Sequence, residues 1–425
     1  MNRIEQTVLD KLDFDGLLQA LDRLVQIPSL DGSPEERAVQ EETAVLMQSL
    51  GLGVETWEID FAELQAHPAY TAEVTRTSGL GVVGSYGRGN GPTLILNGHT
   101  DVVPAGELDR WHFPPWRATY NPADGNVYGR GALDMKGGLC CALFAVKAII
   151  DAGVQLKGRV LVQAVIGEED GGAGTLAAVL QAPAPGADAA IIMEPTELMI
   201  APAQAGAYNF RITIPGKAAH GAMRFEGVDP LEKFLLVYQS ILDLEKFRNQ
   251  DAAHPLFGSY PVPYPICVGK IQGGVWASTV AETLTFEGRY GVKIGEDPAA
   301  AKKQLAEWVE TAVQSDPWLR ENPPIIEWWG AQFDPAEIAV EHEIVGKTAV
   351  SFQQITGQPP KIQGMPYGAD MRLLVNVGGI PTIMFGPGDV RKAHQPDEHV
   401  PLAHLKTCTQ TLTLTILRFC QVQEQ

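Results

Sequence analysis

The strongest constraint in this chain is a set of four apolar runs of strand length that each end abruptly in charged or glycine-rich residues. They are TLILNGHTD at 93–101, RVLVQAVIGEED at 159–170, DAAIIMEP at 188–195 and PTIMFGPG at 381–388. A short, nearly unbroken apolar run predicts a strand buried on both faces. Segments of helical period surround these runs. LLQALDRLVQIP stops before Pro28, and SPEERAVQEETAVLMQSLG opens on a Ser-Pro start and closes on Gly51. Further helices are expected up to Gly153, across GTLAAVLQ, across AVEHEIVGKTAVSFQQITG and over 402–420. Strands alternating with helices specify an α/β fold, a mostly parallel sheet with helices on both faces.

The pattern changes between about 206 and 334. YNFRITIPGKAAH alternates like a half-buried strand, and VDPLEKFLLVYQSILDLEKF is an amphipathic helix. ETLTFEGRYGVKI, DPAAAKKQLAEWVETAVQ and IIEWWGAQF then read as strand, helix and strand. This order implies an antiparallel sheet with helices on one face, an α+β unit. The chain is too long for one core, so two domains are expected. The first is discontinuous (1–205 and 335–425), and the second (206–334) is inserted into it.

Charge and composition exclude several function classes. A net charge of −19 with no basic run argues against nucleic acid, whose phosphates need clustered Lys and Arg. The apolar stretch LCCALFAVKAII at 139–150 carries a lysine and is too short to span a bilayer, so no membrane role is expected. MNRIEQTVLDKLDFDG lacks the apolar run of a secretory signal and reads as a short helix. The cysteines, Cys140, Cys141, Cys267, Cys408 and Cys420, are odd in number and lack paired spacing. They fit reduced thiols in the cytoplasm, with Cys140 and Cys141 in the core. The tryptophans are expected mostly in cores and domain contacts, with Trp111 and Trp116 of WHFPPW close to the loop that holds Asp134.

The chemistry-bearing clusters are NGHTDVVP, GRGALDMKGG, GEED, MEPT and KAHQPDEH, each expected at the C-terminal end of a strand, the edge where open α/β sheets bind ligands. His99 and Asp101, two apart on an extended chain, face the same side. That spacing suits a metal-binding imidazole with a carboxylate beside it, and equally a turn hydrogen bond. Asp134 lies among glycines that let backbone approach closely; it can bridge two cations or cap a helix. Glu168 and Glu169 follow a buried strand, where two acids are costly unless neutralised. As neighbours on an extended chain they would point oppositely, one toward metal and one free to handle a proton; a solvated acidic turn is the plainer reading. Glu194 and His394 each follow an apolar strand, and each taken singly reads as a structural polar residue. Together, two histidines and three carboxylates from separate segments, with a spare carboxylate as base, match the nitrogen and oxygen donors that zinc takes.

On these five motifs in this order, the chain resembles the dizinc metallopeptidase and deacylase family of acetylornithine deacetylase, succinyl-diaminopimelate desuccinylase, carboxypeptidase G and aminoacylase, along essentially its whole length. The resemblance implies a zinc-peptidase-like catalytic domain with an inserted ferredoxin-like lid and dimerisation domain, and a homodimer formed through that insert. It implies two zinc ions per subunit, with cobalt or manganese as substitutes. One would be held by His99, Asp134 and Glu194, the other by Asp134, Glu169 and His394, with Asp134 bridging. Glu168 would be general base and then acid, Asp101 would orient His99, and His220 in KAAHGAM would reach across the dimer to the oxyanion. Arg289 in FEGRYGV matches an arginine that holds a substrate carboxylate, although a salt bridge would explain it equally. Thr279 stands where many relatives carry Asn before a Val-Pro pair, and Ala281 replaces the proline. Asp370 and Arg372 in YGADMRLL match a loop lining the site, or form a local ion pair.

The implied activity is hydrolysis of the amide of an N-acyl amino acid by metal-activated water. Within the same chemistry the alternatives are a dipeptidase or carboxypeptidase, a desuccinylase, and a formyl-aminopyrimidine deformylase. A catalytically inactive metal-binding interaction protein is the reading from another class. It would be expected to have lost Glu168 or a ligand, and all are present. Co-catalytic zinc aminopeptidases share the core but lack the insert.

Overall fold

The structure, a computed structural model, describes residues 1–182, 186–250 and 254–423. The strands of its two main sheets are β1 (Gly53–Glu58), β2 (Leu80–Gly87), β3 (Thr93–His99), β4 (Arg159–Val165), β5 (Ala189–Ile192), β6 (Gly206–Pro215), β7 (Ile266–Gly273), β8 (Thr283–Val292), β9 (Ile325–Phe333) and β10 (Thr382–Met384). The helices of eight residues or more are α1 (Phe14–Val25), α2 (Pro34–Ser49), α3 (Lys136–Asp151), α4 (Ala173–Leu180), α5 (Pro230–Gln250), α6 (Pro298–Ser315), α7 (Glu343–Thr356) and α8 (Leu402–Phe419). No described helix is long and apolar enough to cross a membrane. The chain divides into two compact units: Met1–Ala203 with Glu337–Gln363 and Ala369–Gln425, and Gln204–Ala336 with Gly364–Gly368.

The first unit is built on a six-stranded sheet of order β1-β2-β4-β3-β5-β10. Strands β4, β3, β5 and β10 are parallel, and β1 and β2 add an antiparallel edge. Six of the seven residues of β3, and likewise of β4, are buried, a pattern that needs cover on both faces of the sheet. The helix α3 is buried nearly all round and packs against α1 and α8, which is why its sequence is apolar on every face. Cys140 and Cys141 lie in this core, fully buried. A separate apolar cluster joins Ile59, Phe61 and Leu64 to Ile166 and to Leu176 of α4. The short helix Phe61–Ala66 in this cluster has no counterpart among the sequence expectations.

In the second unit an antiparallel sheet of order β7-β8-β6-β9 carries α5 and α6. Residues of β6 alternate between buried and half-buried, the signature of a sheet with one packed face. Phe210, Ile212 and Ile214 from that strand meet Phe234 and Val237 of α5 and Leu305 and Val309 of α6. Trp308, Trp318 and Trp328 pack around this core, whereas Trp276 is 73% exposed, contrary to the expectation for tryptophan.

One close approach fixes how α3 meets the end of β5. A Cβ on Gly138 would stand 2.3 Å from the backbone oxygen of Met193 and 2.8 Å from its Cβ. Gly138→Ala would gain about 1 kcal/mol of helix propensity, but the clash is with main chain that cannot rotate away. Overpacking of this kind costs about 1–3 kcal/mol, so the variant should unfold at lower urea with an unchanged slope. An unmoved or raised midpoint would show that the contact yields.

Candidate metal centre

Because β3, β4 and β5 run parallel and adjacent, their C-terminal ends fall along one edge of the sheet, and the residues that follow them converge there. His99 is the last residue of β3 and is 1% exposed. Its Nδ1 lies 3.0 Å from the carbonyl oxygen of Asp101, which can only accept, so Nδ1 carries the proton. In the neutral ring the lone pair is then on Nε2, which stands 3.2 Å from Asp134 Oδ1 and 4.0 Å from Glu194 Oε1. The Asp101 carboxylate is farther away, with Oδ1 3.8 Å from Nδ1, while its Oδ2 accepts the backbone N–H of Glu169 at 3.0 Å. Main chain of Asp101 thus steadies His99, and its side chain holds the neighbouring acidic turn.

Asp134 reaches the site by a route the motif pattern did not show. It follows Asn126–Tyr128, a strand of a small separate sheet with Thr119–Asn121 and His399–Pro401, not a strand of the main sheet. The N-cap of α3 is Met135, so Asp134 is not occupied as a cap. With Oδ1 toward His99, its Oδ2 lies 3.3 Å from Nε2 of His394. One carboxylate therefore spans two imidazoles. His394 Nε2 also lies 2.9 Å from Glu169 Oε1, and its side chain is 51% exposed.

The two adjacent glutamates are not on an extended chain as the sequence suggested. Strand β4 ends at Val165, and Gly167, Gly171 and Gly172 adopt positive φ angles of 66°, 130° and 80°. These turn the chain tightly, and Asp170 locks the turn by accepting from the N–H of Val74 at 3.1 Å and from Arg76. Arg76 is buried and also pairs with Glu36 and Asp31. Glu168, His99 and Glu194 bring ligand atoms within 4.8 Å of one another, as do His99, Asp134 and Glu169.

So much buried negative charge sets the electrostatics. Burial, and then the charge of Glu194, raise the pKa of Glu168 well above the carboxylate range. Burial, and then Asp134, do the same for Glu194, whose buried Oε1 accepts no hydrogen bond. Burial opposes the imidazolium of His394, yet Glu169 and Asp134 outweigh it and hold the pKa at about 11. Burial likewise opposes charge on His99, and Asp101 and Asp134 override it. The same histidines hold Asp134 below its usual range against burial. Raised carboxylates, an orphaned acceptor and imidazole nitrogens aimed inward are what divalent cations with nitrogen and oxygen ligands satisfy.

In the second unit, His220 is exposed, accepts the Ala222 N–H at Nδ1 (3.2 Å) and pairs in a short antiparallel ladder with Thr279. Arg289 donates to the Pro366 carbonyl at 2.7 Å, has no carboxylate partner among the described residues, and has its pKa pulled down by burial. In the first unit, Asp370 is fully buried against Gly172, and burial lifts its pKa to about 6. Arg372 donates to the carbonyls of Gly171 (2.6 Å) and Ala69 (3.3 Å). Sequence reasoning passed over Arg130, Glu398, Asp170 and Arg76, which hold the loops in place. Arg130, Asp170 and Glu398 sit inside the motifs GRGALDMKGG, GEED and KAHQPDEH, but nothing in those strings marks them as buried.

The metal-free protein should lose stability as pH rises. A group whose pKa is raised on folding contributes fully below its unfolded pKa, and that contribution fades as pH climbs toward the folded value. Glu168, Glu194, His99 and His394 all fall in this class. The opposite contribution, from Asp134, is lost only on acidification below the usual carboxylate range. The chelated protein is expected to melt several degrees lower at pH 8 than at pH 6, and saturating divalent metal, which displaces these protons, should remove or reverse the slope. A chelated protein more stable at pH 8 would contradict the electrostatics described.

Comparison with known proteins agrees with this picture. Residues 95–418 match the model of peptidase family M20/M25/M40. An N-formyl-4-amino-5-aminomethyl-2-methylpyrimidine deformylase from Bacillus subtilis is 28% identical over 411 residues, covering 91% of this chain and 90% of that protein. The protein of the same name from Halalkalibacterium halodurans is 30% identical over 354 residues, 78% of this chain and 80% of its own. Among solved structures, the dipeptidase Dug1p from Saccharomyces cerevisiae superposes with a TM-score of 0.80 at 13% identity, covering 99% of both chains. Human carnosine dipeptidase 1 gives 0.75 at 16% identity, covering 98% of this chain and 100% of its own. At such identities these two likenesses speak for the fold alone. The chain belongs to peptidase family M20/M25/M40, metal-dependent hydrolases of C–N bonds.

Proposed function

We propose that this protein hydrolyses the amide of a small N-acylated amine, using two zinc ions held by His99, Asp134, Glu169, Glu194 and His394 and a proton carried by Glu168. The observation that carries the reading is Asp134 spanning His99 and His394 with its two carboxylate oxygens, at 3.2 and 3.3 Å. Zinc suits the mixed nitrogen and oxygen donors, and when bound it would acidify a water and polarise the substrate carbonyl. Glu168 would take the proton from the attacking water and deliver it to the departing nitrogen. Its raised proton affinity fits a group that must hold a proton between those two steps. Glu169, by contrast, is engaged with His394, which supports a ligand role for it. Asp101 would act as a positioning residue, through its carbonyl on His99 and its carboxylate on the Glu169 amide. His220 is the candidate oxyanion donor.

Self-association through the second unit is part of this reading. Edge strand β7 presents Ile271 at 52% exposure, and α5 presents Leu231, Leu235 and Phe247 at 51–60%. An unpaired edge beside exposed apolar side chains supports a homodimer contact. Five free cysteines support a reducing compartment such as the cytoplasm.

For the substrate, the curated relatives that match most of the chain support a formylated aminopyrimidine. A second reading, an N-acyl amino acid, is supported by Arg289, a half-buried cation with no carboxylate partner among the described residues, which suits an anionic group.

Glu168→Gln is expected to keep its metal content and lose kcat by about 10²–10⁴-fold; near-normal turnover would remove Glu168 from the proton path. The zinc-loaded enzyme, offered formylated aminomethylpyrimidine beside N-acetyl and N-succinyl amino acids, should favour the first in kcat/KM. A preference of tenfold or more for the amino acids, abolished by Arg289→Ala, would establish the second reading instead. Activity on none of these amides with metal bound would sink both.

A further inference from the structure

Arg130 and Glu398 form an ion pair whose side chains are 2% and 0% exposed. One oxygen of Glu398 accepts from Arg130, and the other accepts three backbone N–H groups, those of Gly131 at 2.8 Å and of Leu133 and Asp134 at 3.2 Å each. The remaining arm of Arg130 donates to the carbonyl of Pro104 at 3.2 Å and reaches that of Gln395 at 3.5 Å. Pro104 lies on the chain leaving His99 and Asp101, and Gln395 is next to His394. Main chain reinforces the junction: Gly129 N–H donates to the Glu398 carbonyl at 3.0 Å, and Tyr128 pairs with His399. Three segments that carry candidate ligands are therefore bonded to one buried pair.

Stability does not account for such a pair, because two desolvated charges are usually matched or bettered by apolar side chains of similar volume. What the pair specifies is spacing. His99 and Glu194 sit at or just beyond the ends of β3 and β5, where the sheet itself fixes them. Asp134 and His394 sit on loops, and the sheet does not set the distance between them.

We propose that Arg130 and Glu398 are a positioning clamp that sets Asp134 against His394, and so determines occupancy of the second of two metal sites. Glu398 acts here through Asp134 and is a positioning residue. The inference rests on the two-metal reading above.

The test is a cobalt(II) titration of metal-free wild type, Glu398→Ala and Glu398→Gln, followed by visible absorption, with metal per chain measured after gel filtration. Wild type should bind two ions. In Glu398→Ala the tighter site should stay within about twofold while the weaker loses 10–100-fold in affinity, the usual cost of removing a group that orients ligands. Glu398→Gln keeps an oxygen for the three N–H groups and should fall between. Turnover should drop with occupancy of the weaker site and recover in excess metal, with KM little changed, a recovery that general unfolding would not give. Wild-type affinity at both sites, or equal weakening of both, would overturn the clamp. A wild type that binds no metal would overturn the two-metal reading itself, and the clamp with it. If Glu398→Ala does not fold, the paired Arg130→Met/Glu398→Leu variant removes both charges together. Folded, it should still show the weakened site, and wild-type binding there would equally overturn the proposal.

Discussion

The interaction on which the rest depends is the mutual burial of several carboxylates around two imidazoles at one edge of a parallel sheet. Glu168, Glu194 and Asp134 are each less than a tenth exposed, and His99 and Asp101 are sealed from solvent. Each desolvated charge costs several kcal/mol unless it is compensated. The histidines compensate part of that burden, and a cation shared among these ligands would compensate the remainder. A cluster with this charge imbalance is poorly stable alone, so the surrounding scaffold must hold it against its own repulsion.

The scaffold does so mainly with main-chain hydrogen bonds and buried cations placed one layer out. Arg76 pairs with Asp170, Glu36 and Asp31 and so ties the turn bearing Glu168 and Glu169 to the segment around α2. Lys136, fully buried, donates to the carbonyls of Leu24 and Ile27 at 2.9 Å each, closing the C-terminal end of α1 where a positive charge is favoured. Arg130 and Glu398 join the loops that the sheet leaves unattached. Arg76 and Arg130 are spent on these partners, and burial pulls the pKa of Lys136 down to about 7, so the cluster keeps its capacity for metal.

The sequence is informative about this protein to an uneven degree. The apolar runs that became β3, β4 and β5 were readable because a strand covered on both faces leaves little choice of residue. The alternation in β6 was readable for the complementary reason, that one face of its sheet is packed. Neither pattern carries information about the small sheet that brings Tyr128 beside His399, since three-residue strands have no period to detect. The extended reading of Glu168 and Glu169 was mistaken because Gly167 reverses the backbone immediately after the apolar run, and a glycine does not announce the sign of its φ angle. The eight tryptophans looked alike in sequence, yet Trp276 stands exposed while Trp308, Trp318 and Trp328 pack on a core.

By itself, the sequence determined the alternation of strands and helices, the change of pattern in the middle, and the residue types that meet at the sheet edge. Those features rest on local periodicity and on the chemistry of single side chains. Tertiary structure decided what no local pattern encodes: that Asp134 lies between two histidines nearly three hundred residues apart in sequence, with Glu398 and Arg130 holding its loop. It also decided that the carbonyl of Asp101, and not its carboxylate, sets the tautomer of His99. Separations of 3.2 and 3.3 Å between residues remote in the chain arise from packing and from paired backbone. Only the assembled fold contains them.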